Sequence, residues 1–468
     1  MNKTKIVCTM GPACNDLETI KDMMRAGMNV ARFNMSHGTH ESHKAQMDLV
    51  KQARYELGLP VAIMLDTKGP EIRIRQFKNG SVVLKPDQSF ALTTERLMGD
   101  ESIVSVTYDK LPAIVKEGTK ILLNDGLIEL SVTSVTDTIV HTVVVVGGVL
   151  SNNKSINIPS VELNMKYLSD IDKSDLAFGV EQKVDCYSIS FVNSAKDVED
   201  VRKFLKECGE SHPFIISKIE SAKGVEKMEE IISASDGVMV ARGDMGVEIP
   251  FEKLPKAQKK MIEIANKLGK LSITATQMLE SMIHNTRPTR AEISDVANAI
   301  YDGTSAIMLS GETSAGDHPI LTVQTMRKNA NENETGVSWY FANGFSSPND
   351  VSGGLGYASC ALAGSLNAKA IIVSTFSGRT AISVSRFKPQ STVIALTPNE
   401  KVYYKLGMLW GVQPVMEKQF YNTDELLSSA RTKAKQFKYV ESNDLVIQVA
   451  GNVSNNNGSD MLVVTKID

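Results

Sequence analysis

Two short segments of the chain carry charged side chains directly after apolar runs. Lys218 and Glu220 follow the strand-like run 214–217, and Asp244 follows the run 237–241. Because side chains alternate along a strand, Lys218 and Glu220 point to the same face. One ammonium and two carboxylates at neighbouring strand ends suit a divalent metal that holds a phosphorylated anion. A solvated ion pair is the alternative interpretation of Lys218 and Glu220 alone.

Polar side chains also follow four other apolar runs. They occupy residues 32–38, 66–73, 276–277 and 310–312. Because a parallel barrel forms its active site at the carboxyl ends of its strands, these segments predict one shared site. Oxygen-bearing side chains of the first two segments would make a pocket for a hard cation, and these are Asn34, Ser36, Asp66 and Thr67. Turns closed by Asn and Ser side chains are the alternative.

Positive charge comes from four separate segments, at Arg32, Arg73, Lys218 and Arg242. Arginine offers a planar fork for phosphate or carboxylate, whereas lysine is a compact point charge that can follow a phosphoryl group. Taken singly, each is typical of a surface or salt-bridge residue. Together with the two carboxylates, they describe cationic clamps around a metal, which suits phosphoryl transfer. His37 is a candidate nucleotide contact, with an ordinary loop histidine as the alternative.

Eight strand-like runs alternate with amphipathic helices. The runs span residues 5–9, 29–33, 61–65, 184–190, 214–217, 237–241, 271–275 and 305–309. Gly27 and Gly269 end two apolar helical stripes, and Thr289 with Glu292 forms a predicted capping box. Eight strand and helix units predict an α/β fold containing a parallel (β/α)8 TIM barrel.

The alternation is interrupted once and resumes in a smaller unit. Short β-branched runs at 81–84, 103–107, 120–123, 128–135 and 139–146, separated by Gly, Asn and Asp turns, predict a small all-β domain inserted at residues 70–165. A polar stretch at 331–356 is typical of a linker. The barrel would then span 1–69 and 166–335, and strand-like runs at 370–374, 392–396, 445–449 and 461–465 predict a C-terminal α/β domain at 336–468.

Composition narrows the class of protein. The chain has 468 residues, 42% of them hydrophobic, and a net charge of -3, which argues against an extended nucleic-acid or anionic-membrane surface. Without a membrane span or a signal-peptide pattern, we expect a cytoplasmic protein. Five scattered cysteines lack metal-type spacing, so buried reduced thiols are expected.

The strand-end motifs, taken in order, resemble those of the pyruvate kinase family. The similar segments are 6–12, 32–38, 65–73, 217–220, 239–250, 274–282, 287–292 and 308–313. The resemblance covers nearly the whole chain, and the C-terminal third matches more loosely. The resemblance implies a catalytic barrel at 1–69 and 166–335, an inserted small β-barrel lid domain at 70–165 and a C-terminal α/β regulatory domain at 336–468. It is a resemblance to the bacterial type of the family, without an extra C-terminal domain. It also implies a homotetramer.

The resemblance implies transfer of the phosphoryl group of phosphoenolpyruvate to ADP, giving ATP and pyruvate in the last step of glycolysis. Glu220 and Asp244 would hold Mg²⁺ or Mn²⁺, and Lys218 would stabilise the charge on the transferring phosphoryl group. Arg32 and Arg73 would bind phosphate groups. The substrate carboxylate would be held by the backbone amides of Arg242, Gly243 and Asp244 and by the Thr276 hydroxyl.

The remaining family roles fall on the other strand ends and the lid. K⁺ would be carried by Asn34, Ser36, Asp66 and Thr67, and the nucleotide would contact Asn34, His37, Arg73 and Lys154. Thr276, Ser310 and Glu312, with ordered water, resemble the proton path that converts enolpyruvate to pyruvate. Closure of the lid would exclude water, so that phosphoenolpyruvate is not hydrolysed.

Three departures from the family pattern stand out. Asn193 and Ser194 replace a usual Arg-Lys pair, which removes one cationic nucleotide contact that Lys196 could replace. In the lid, the departures are Asn124, Ser155 and Ser160. Ile74 stands where K⁺-requiring relatives often have Thr, whereas Glu71 resembles the residue of such relatives.

A loop in the C-terminal domain predicts an effector site. Its residues resemble the sugar-phosphate loop of regulated pyruvate kinases and are Thr375, Ser377, Gly378, Arg379 and Thr380. An ordinary capped turn is the alternative. Because the final loop, 451–460, offers no Lys or Arg, we expect a sugar monophosphate or AMP rather than a bisphosphate.

Two other functions compete with the kinase. One is a metal-dependent barrel aldolase or lyase that binds the enolate of pyruvate, for which a Glu and an Asp suffice. The K⁺-pocket residues, the lid and Lys218 favour the kinase. The other is an inactive, metabolite-sensing paralogue, against which the intact catalytic positions argue.

Overall fold

The computed structural model describes residues 2–159, 161, 166–335, 350–451 and 460–468. Eight parallel strands form a closed barrel, as predicted. With elements numbered in chain order, the barrel strands are β1 (Lys5–Thr9), β2 (Val30–Asn34), β3 (Ala62–Asp66), β13 (Cys186–Ile189), β14 (Ile215–Ile219), β15 (Gly237–Ala241), β16 (Leu271–Ala275) and β17 (Ala306–Leu309).

Helices surround the barrel, and three of them begin or end at the residues that the sequence predicts. Gly27 and Gly269 follow the last residues of α1 and α9, and Thr289 forms a capping box with Glu292 at the start of α10. The helices of this domain are α1 (Leu17–Ala26), α2 (His40–Leu57), α4 (Asp170–Glu181), α5 (Ala195–Glu207), α6 (Ala222–Glu226), α7 (Met228–Ala234), α8 (Arg242–Glu248), α9 (Leu254–Leu268), α10 (Arg290–Tyr301), α11 (Gly311–Ser314) and α12 (Pro319–Asn333).

Alternation along each barrel strand divides the core into two layers. Ile6 and Cys8 pack outward against the helices, whereas Val7 packs inside the barrel with residues such as Met64. This packing leaves the carboxyl ends of the strands as the place where polar side chains converge.

The inserted domain is an all-β lid, as predicted. Its strands are β4 (Ile72–Arg73), β5 (Ser81–Leu84), β6 (Ser89–Thr93), β7 (Ile103–Ser105), β8 (Lys120–Leu123), β9 (Ile128–Val135), β10 (Ile139–Val146), β11 (Gly148–Ser151) and β12 (Ser155–Asn157), with one short helix, α3 (Leu111–Ile114). Seven strands form a sheet in the order β4-β12-β8-β9-β10-β6-β7, and β11 pairs with β5. A bridge between Ile74 and Val106 joins the two edges of the large sheet, so it curls into a barrel-like shape.

The C-terminal domain is a five-stranded sheet flanked by helices. The sheet order is β20-β19-β18-β21-β22, parallel except for the last pair. The elements are α13 (Val351–Ser365), β18 (Ala370–Ser374), α14 (Arg379–Ser385), β19 (Thr392–Thr397), α15 (Glu400–Leu406), β20 (Val412–Met416), α16 (Thr423–Gln436), β21 (Leu445–Ala450) and β22 (Met461–Lys466).

The prediction of a linker at 331–356 is wrong at its two ends, because helices occupy the described residues there. Helix α12 continues to Asn333, and α13 begins at Val351, where the Asp350 side chain accepts a hydrogen bond from the Gly353 N–H. Glycine in this helix allows close packing, because a Cβ on Gly356 would lie 2.4 Å from the Ser383 carbonyl oxygen of α14. Residues 336–349 lie outside the described residues.

The sequence prediction missed five strands, and each lacks a strong strand signal. Four of them, β4, β6, β11 and β12, belong to the lid and are two to five residues long. The fifth, β20, is an edge strand that contains Pro414, a residue that weakens a strand prediction. The five cysteines are free thiols, as expected. In the described part of the chain, no helix is long and apolar enough to cross a membrane.

Candidate active site

Lys218 lies at the centre of the charged cluster. It belongs to β14 itself, one residue before the strand ends, and is 9% exposed. Its Nζ lies 2.9 Å from Oε1 of Glu220 and 3.3 Å from Oδ1 of Asp66, and it donates a hydrogen bond to Ser190 Oγ at 2.8 Å. Burial lowers the pKa of Lys218, but the two carboxylates outweigh burial and raise it above its ordinary value. The structure therefore holds a buried ammonium in its charged form.

Glu220 is a fully buried carboxylate whose two oxygens have different partners. Its Oε2 accepts a hydrogen bond from the Phe191 N–H at 2.6 Å, whereas Oε1 lies 2.9 Å from the Lys218 ammonium. Burial raises the pKa of Glu220 to about 7; Lys218 acts against this rise, and the Asp244 charge adds to it. Two mutually repelling carboxylates are suited to a divalent cation.

Arg32 and Asp66 form a second buried ion pair below this cluster. The distance from Arg32 Nε to Asp66 Oδ2 is 2.5 Å, and Arg32 Nη1 donates to Thr9 Oγ1 at 2.8 Å. Burial alone would raise the pKa of Asp66. The positive charges of Arg32 and Lys218 together outweigh burial, so the pKa lies below its ordinary value. Asp66 therefore links the guanidinium on β2 to the ammonium on β14.

The predicted K⁺-pocket residues come from adjacent strand ends. Asn34 is paired with Asp66 in the register of β2 and β3, and Thr67 follows directly. Asn34 Oδ1 accepts a hydrogen bond from the Ser36 N–H at 3.2 Å, so the turn that was the alternative interpretation is also present. The Thr67 hydroxyl accepts from the Ser190 N–H at 3.2 Å. The four residues thus share one region.

The segment after β15 presents helix amides to the site. Asp244 lies in the first turn of α8, and the Gly243 N–H donates to Thr276 Oγ1 at 2.8 Å. Thr276 and Gln277 have φ values of 69° and 54°, a left-handed conformation that is strained for side-chain-bearing residues and typical of functional sites. The amides and hydroxyl predicted to hold the substrate carboxylate are therefore together.

The side chain of Arg242 is held by neighbouring residues of the barrel. Its guanidinium lies 2.7 Å from a carboxylate oxygen of Asp295 and donates to the carbonyl oxygens of Ala275 and Thr276 at 3.2 and 2.6 Å. Its charge is therefore shared with Asp295 on α10, and its place in the cationic clamp stays a prediction. Sequence could not reveal the pair, since 53 residues separate its partners.

Ser310 and Glu312 follow β17. Both oxygens of Glu312, which is 2% exposed, accept backbone N–H groups, from Ser310 at 2.6 Å and from Leu279 at 3.1 Å. Ser310 Oγ is buried and finds no hydrogen-bond partner among the described residues. Glu312 therefore holds the loop, while Ser310 offers a free hydroxyl.

Comparisons with known proteins agree with this geometry. The family model "Pyruvate kinase, barrel domain" matches residues 1–323, and "Pyruvate kinase, alpha/beta domain" matches residues 355–465. The chain belongs to the pyruvate kinase family. It is thereby a phosphotransferase, and the family's reaction is the transfer of a phosphoryl group from phosphoenolpyruvate to ADP.

Individual relatives match over the full chain. A pyruvate kinase of Clostridium acetobutylicum is 44% identical over 474 residues, covering 100% of both chains, and one of Clostridium perfringens is 42% identical with the same coverage. A pyruvate kinase of Sporosarcina psychrophila is 44% identical over 456 residues, which are 96% of this chain and 78% of the relative.

The candidate nucleotide residues of this pyruvate kinase family member lie where the lid joins the barrel. Arg73 pairs with Glu71 at 2.8 Å and donates to the Asn153 carbonyl at 2.6 Å, next to Lys154. Burial lowers the pKa of His37, and Arg73 and Arg32 lower it further. A neutral His37 near two arginines fits a contact with a nucleotide.

The departures from the pyruvate kinase pattern have structural roles. Ser194 caps α5 by accepting from the Asp197 N–H at 3.4 Å, and the Asn193 N–H donates to Asp197. Lys196 is 77% exposed and pairs with Asp200 at 2.7 Å, so it does not replace the missing cation in this structure. Ile74 is buried in the lid core. Ser160 lies outside the described residues.

The candidate effector loop connects β18 to α14. The Thr375 hydroxyl accepts from the Gly378 N–H at 3.0 Å, and Gly378 has a φ of 86°. Arg379 Nε donates to Ser377 Oγ at 3.3 Å, and Thr380 lies in the first turn of α14. Most of the final loop, residues 452–459, lies outside the described residues.

Sequence reasoning missed two supporting residues. Ser190 contacts Lys218 and donates to the Thr67 carbonyl at 2.6 Å; its place at the end of a strand was the available signal. His43 is 9% exposed, and its Nε2 lies 2.6 Å from the His37 carbonyl oxygen. Its signal was the spacing of His40 and His43, which lie three residues apart on α2, whereas His37 belongs to the loop before that helix.

Proposed function

We propose that the carboxyl end of the barrel binds phosphoenolpyruvate and ADP and transfers the phosphoryl group between them. The observation that carries this proposal is Lys218, a buried cation kept charged by Asp66 and Glu220. A fixed charge in a buried site stabilises negative charge that develops on a phosphoryl group without reorganising first.

Glu220 and Asp244 fit a divalent cation. Their mutual repulsion and their all-oxygen chemistry support Mg²⁺ or Mn²⁺ at this point. The described residues hold no group of three or more His, Cys, Asp and Glu side chains suited to a metal, so substrate or water oxygens would complete the coordination. When bound, such a cation neutralises charge on the phosphoryl oxygens.

The substrate carboxylate would lie against the first turn of α8. The backbone amides of residues 242–244 point out of a helix N-terminus, which favours an anion. The Thr276 hydroxyl now accepts from the Gly243 N–H, and it would turn to the substrate on binding. Arg32 and Arg73 would hold phosphate groups.

The oxygen atoms of Asn34, Ser36, Asp66 and Thr67 would hold K⁺. Their common location and their all-oxygen chemistry support this assignment. Asp66 also pairs with Arg32 and Lys218, so the pocket is connected to the charged cluster. A monovalent cation there would add to the positive field around the phosphoryl group.

Protonation of the enolate would follow transfer. Thr276 and Ser310 carry hydroxyl groups at adjacent strand ends, and Ser310 Oγ is free to exchange a proton with water. Glu312 would act by fixing the Ser310 amide rather than by giving up its own proton. Asn34, His37, Arg73 and Lys154 would contact ADP, with the lid excluding water.

Regulation, assembly and location complete the proposal. Thr375, Ser377, Gly378, Arg379 and Thr380 would bind a sugar monophosphate or AMP, supported by the loop's hydroxyls and amides. Binding would favour the active form of a homotetramer. We place the enzyme in the cytoplasm, in keeping with its substrates.

A coupled assay tests this function. Pyruvate and ATP should form together only when phosphoenolpyruvate, ADP and Mg²⁺ are present, and more quickly with K⁺. Pyruvate formation that does not need ADP would favour the aldolase or lyase. Binding of phosphoenolpyruvate without turnover would favour the sensing paralogue.

A further inference from the structure

The lid contacts the substrate end of the barrel through consecutive residues of α8. Asn157 Nδ2, at the end of β12, donates to Glu248 Oε1 at 2.9 Å. Beside it, a Cβ on Gly126 of the lid would lie 3.4 Å from Val247. Both contacts fall on the helix whose first turn contains Gly243 and Asp244.

Strand β12 also carries the lid's share of the nucleotide region. Ser155 of β12 pairs with Arg73 of β4, and the Lys154 carbonyl accepts from the Ile74 N–H at 3.0 Å. Within β12, the Ile156 side chain packs into the lid core. Alternation therefore turns Asn157 to the opposite face, where it meets α8 of the barrel. The strand joins the nucleotide residues at one end to α8 at the other.

The contact crosses an otherwise open space. A cleft of about 550 Å³ separates the lid from the barrel, and Asn157 and Glu248 both line it. Glu248 is half-buried, and its Oε1 accepts the hydrogen bond from Asn157. A pair that spans a cleft can open and close without disturbing either hydrophobic core.

We propose that Asn157 and Glu248 form a lid latch, a pair of positioning residues that holds β12 over bound nucleotide and keeps water from the phosphoryl group. This inference rests on the proposed function. Neither side chain needs to touch substrate. Closing the latch would bring Lys154 and Arg73 to the nucleotide while α8 holds the other substrate.

Loss of the latch should redirect the phosphoryl group to water. In that reaction a water oxygen forms the new P–O bond, the bond from phosphorus to the enol oxygen breaks, and the enolate carbon takes a proton. The products are inorganic phosphate and pyruvate, without ATP. The ratio of phosphate to ATP therefore reports closure directly.

Three variants and one control distinguish the Asn157–Glu248 hydrogen bond from the negative charge of Glu248. Asn157→Leu and Glu248→Met remove the donor and the acceptor at similar size, whereas Glu248→Gln removes the charge but keeps an oxygen acceptor. Glu129→Met is the matched control, because Glu129 pairs with Lys120 inside the lid. All four should keep the wild-type melting temperature within a few degrees.

We expect Asn157→Leu and Glu248→Met to raise KM for ADP and the ratio of phosphate to ATP, each about tenfold, as loss of one hydrogen bond predicts. Phosphoenolpyruvate affinity measured without nucleotide should stay within about twofold of wild type, because α8 keeps its amides. Glu248→Gln and Glu129→Met should stay close to wild type. The double variant Asn157→Leu/Glu248→Met should be no worse than either single variant.

Three results would overturn the latch. They are an unchanged phosphate-to-ATP ratio in folded Glu248→Met, additive effects in the double variant, and a Glu248→Gln defect as large as that of Glu248→Met. The last would assign Glu248 an electrostatic role near Asp244. A wild-type protein that forms no ATP would instead refute the proposed function, so the two failures are distinguishable.

Discussion

The catalytic end of the barrel and the effector loop of the C-terminal domain both lie where parallel strands end, yet they are built differently. In the barrel, Lys218, Asp66 and Glu220 come from different strands and pair across the site. In the C-terminal loop, the Thr375 and Ser377 hydroxyls accept hydrogen bonds from Gly378 and Arg379, which are near neighbours in sequence. A site assembled from several strands fixes buried charges in place before substrate arrives, whereas these loop hydroxyls make local contacts without a buried ion pair. Substitutions should therefore have large effects in the first region and small ones in the second.

The largest effect is expected from Lys218→Met. Removing a charge aimed at the transition state should lower kcat by about a thousandfold or more. Steady-state kinetics of the purified variant, with circular dichroism and thermal melting to check folding, measure this. Lys196→Met, on an exposed helix face, is the control. A folded Lys218→Met enzyme that keeps a tenth of wild-type turnover would contradict the assigned role.

Glu220→Gln should be the next most severe change. It removes a charge at the proposed metal site, so kcat should fall and the Mg²⁺ concentration for half-maximal activity should rise, each by about tenfold or more. Titration of activity with Mg²⁺ measures both. If the Mg²⁺ dependence is unchanged, the metal binds elsewhere.

Removal of K⁺ should lower activity by about tenfold. The motivation is Glu71, which pairs with Arg73 near the nucleotide region. In K⁺-free buffer balanced with tetramethylammonium, activity should be low, and Glu71→Lys should weaken the dependence because a lysine ammonium can replace the cation. Full wild-type activity without K⁺ would refute the prediction.

The pH dependence of Mg²⁺ binding should follow Glu220. Its pKa is about 7 in the folded chain, against 4.5 ordinarily, so the folded state holds this proton more tightly than the unfolded state. The contribution of Glu220 to the free energy of unfolding is therefore most favourable at low pH and is lost as the pH rises through about 7. Mg²⁺ replaces the proton, so it should raise the melting temperature more at about pH 8 than at about pH 6. Glu220→Gln should abolish that difference.

The smallest effect belongs to the effector loop. A bound monophosphate should lower the phosphoenolpyruvate concentration at half-saturation by a few-fold. Calorimetric titration with ribose 5-phosphate, glucose 6-phosphate, AMP and fructose 1,6-bisphosphate identifies the ligand, and Thr380→Val should weaken binding. Tightest binding of the bisphosphate, or binding of none, would contradict the monophosphate prediction.

Strong local patterns made most of the fold predictable. The strands β1, β15 and β16 have their predicted ends, because each is a buried apolar run with a clear stop on both sides. Weak patterns failed. The first six residues of helix α13 contain three glycines and were predicted as linker, since their helical form depends on close packing against α14.

The sequence alone determined which residue types stand at the strand ends, and therefore the family and the candidate residues for metal, substrate and nucleotide. Tertiary structure decided how those charges are shared. In the folded chain, Arg242 forms an ion pair with Asp295, and both oxygens of Glu312 accept hydrogen bonds from backbone amides. Asn157 donates a hydrogen bond to Glu248. These pairings join residues that are distant along the chain. Their energies depend on burial and distance, which residue types and spacing do not contain.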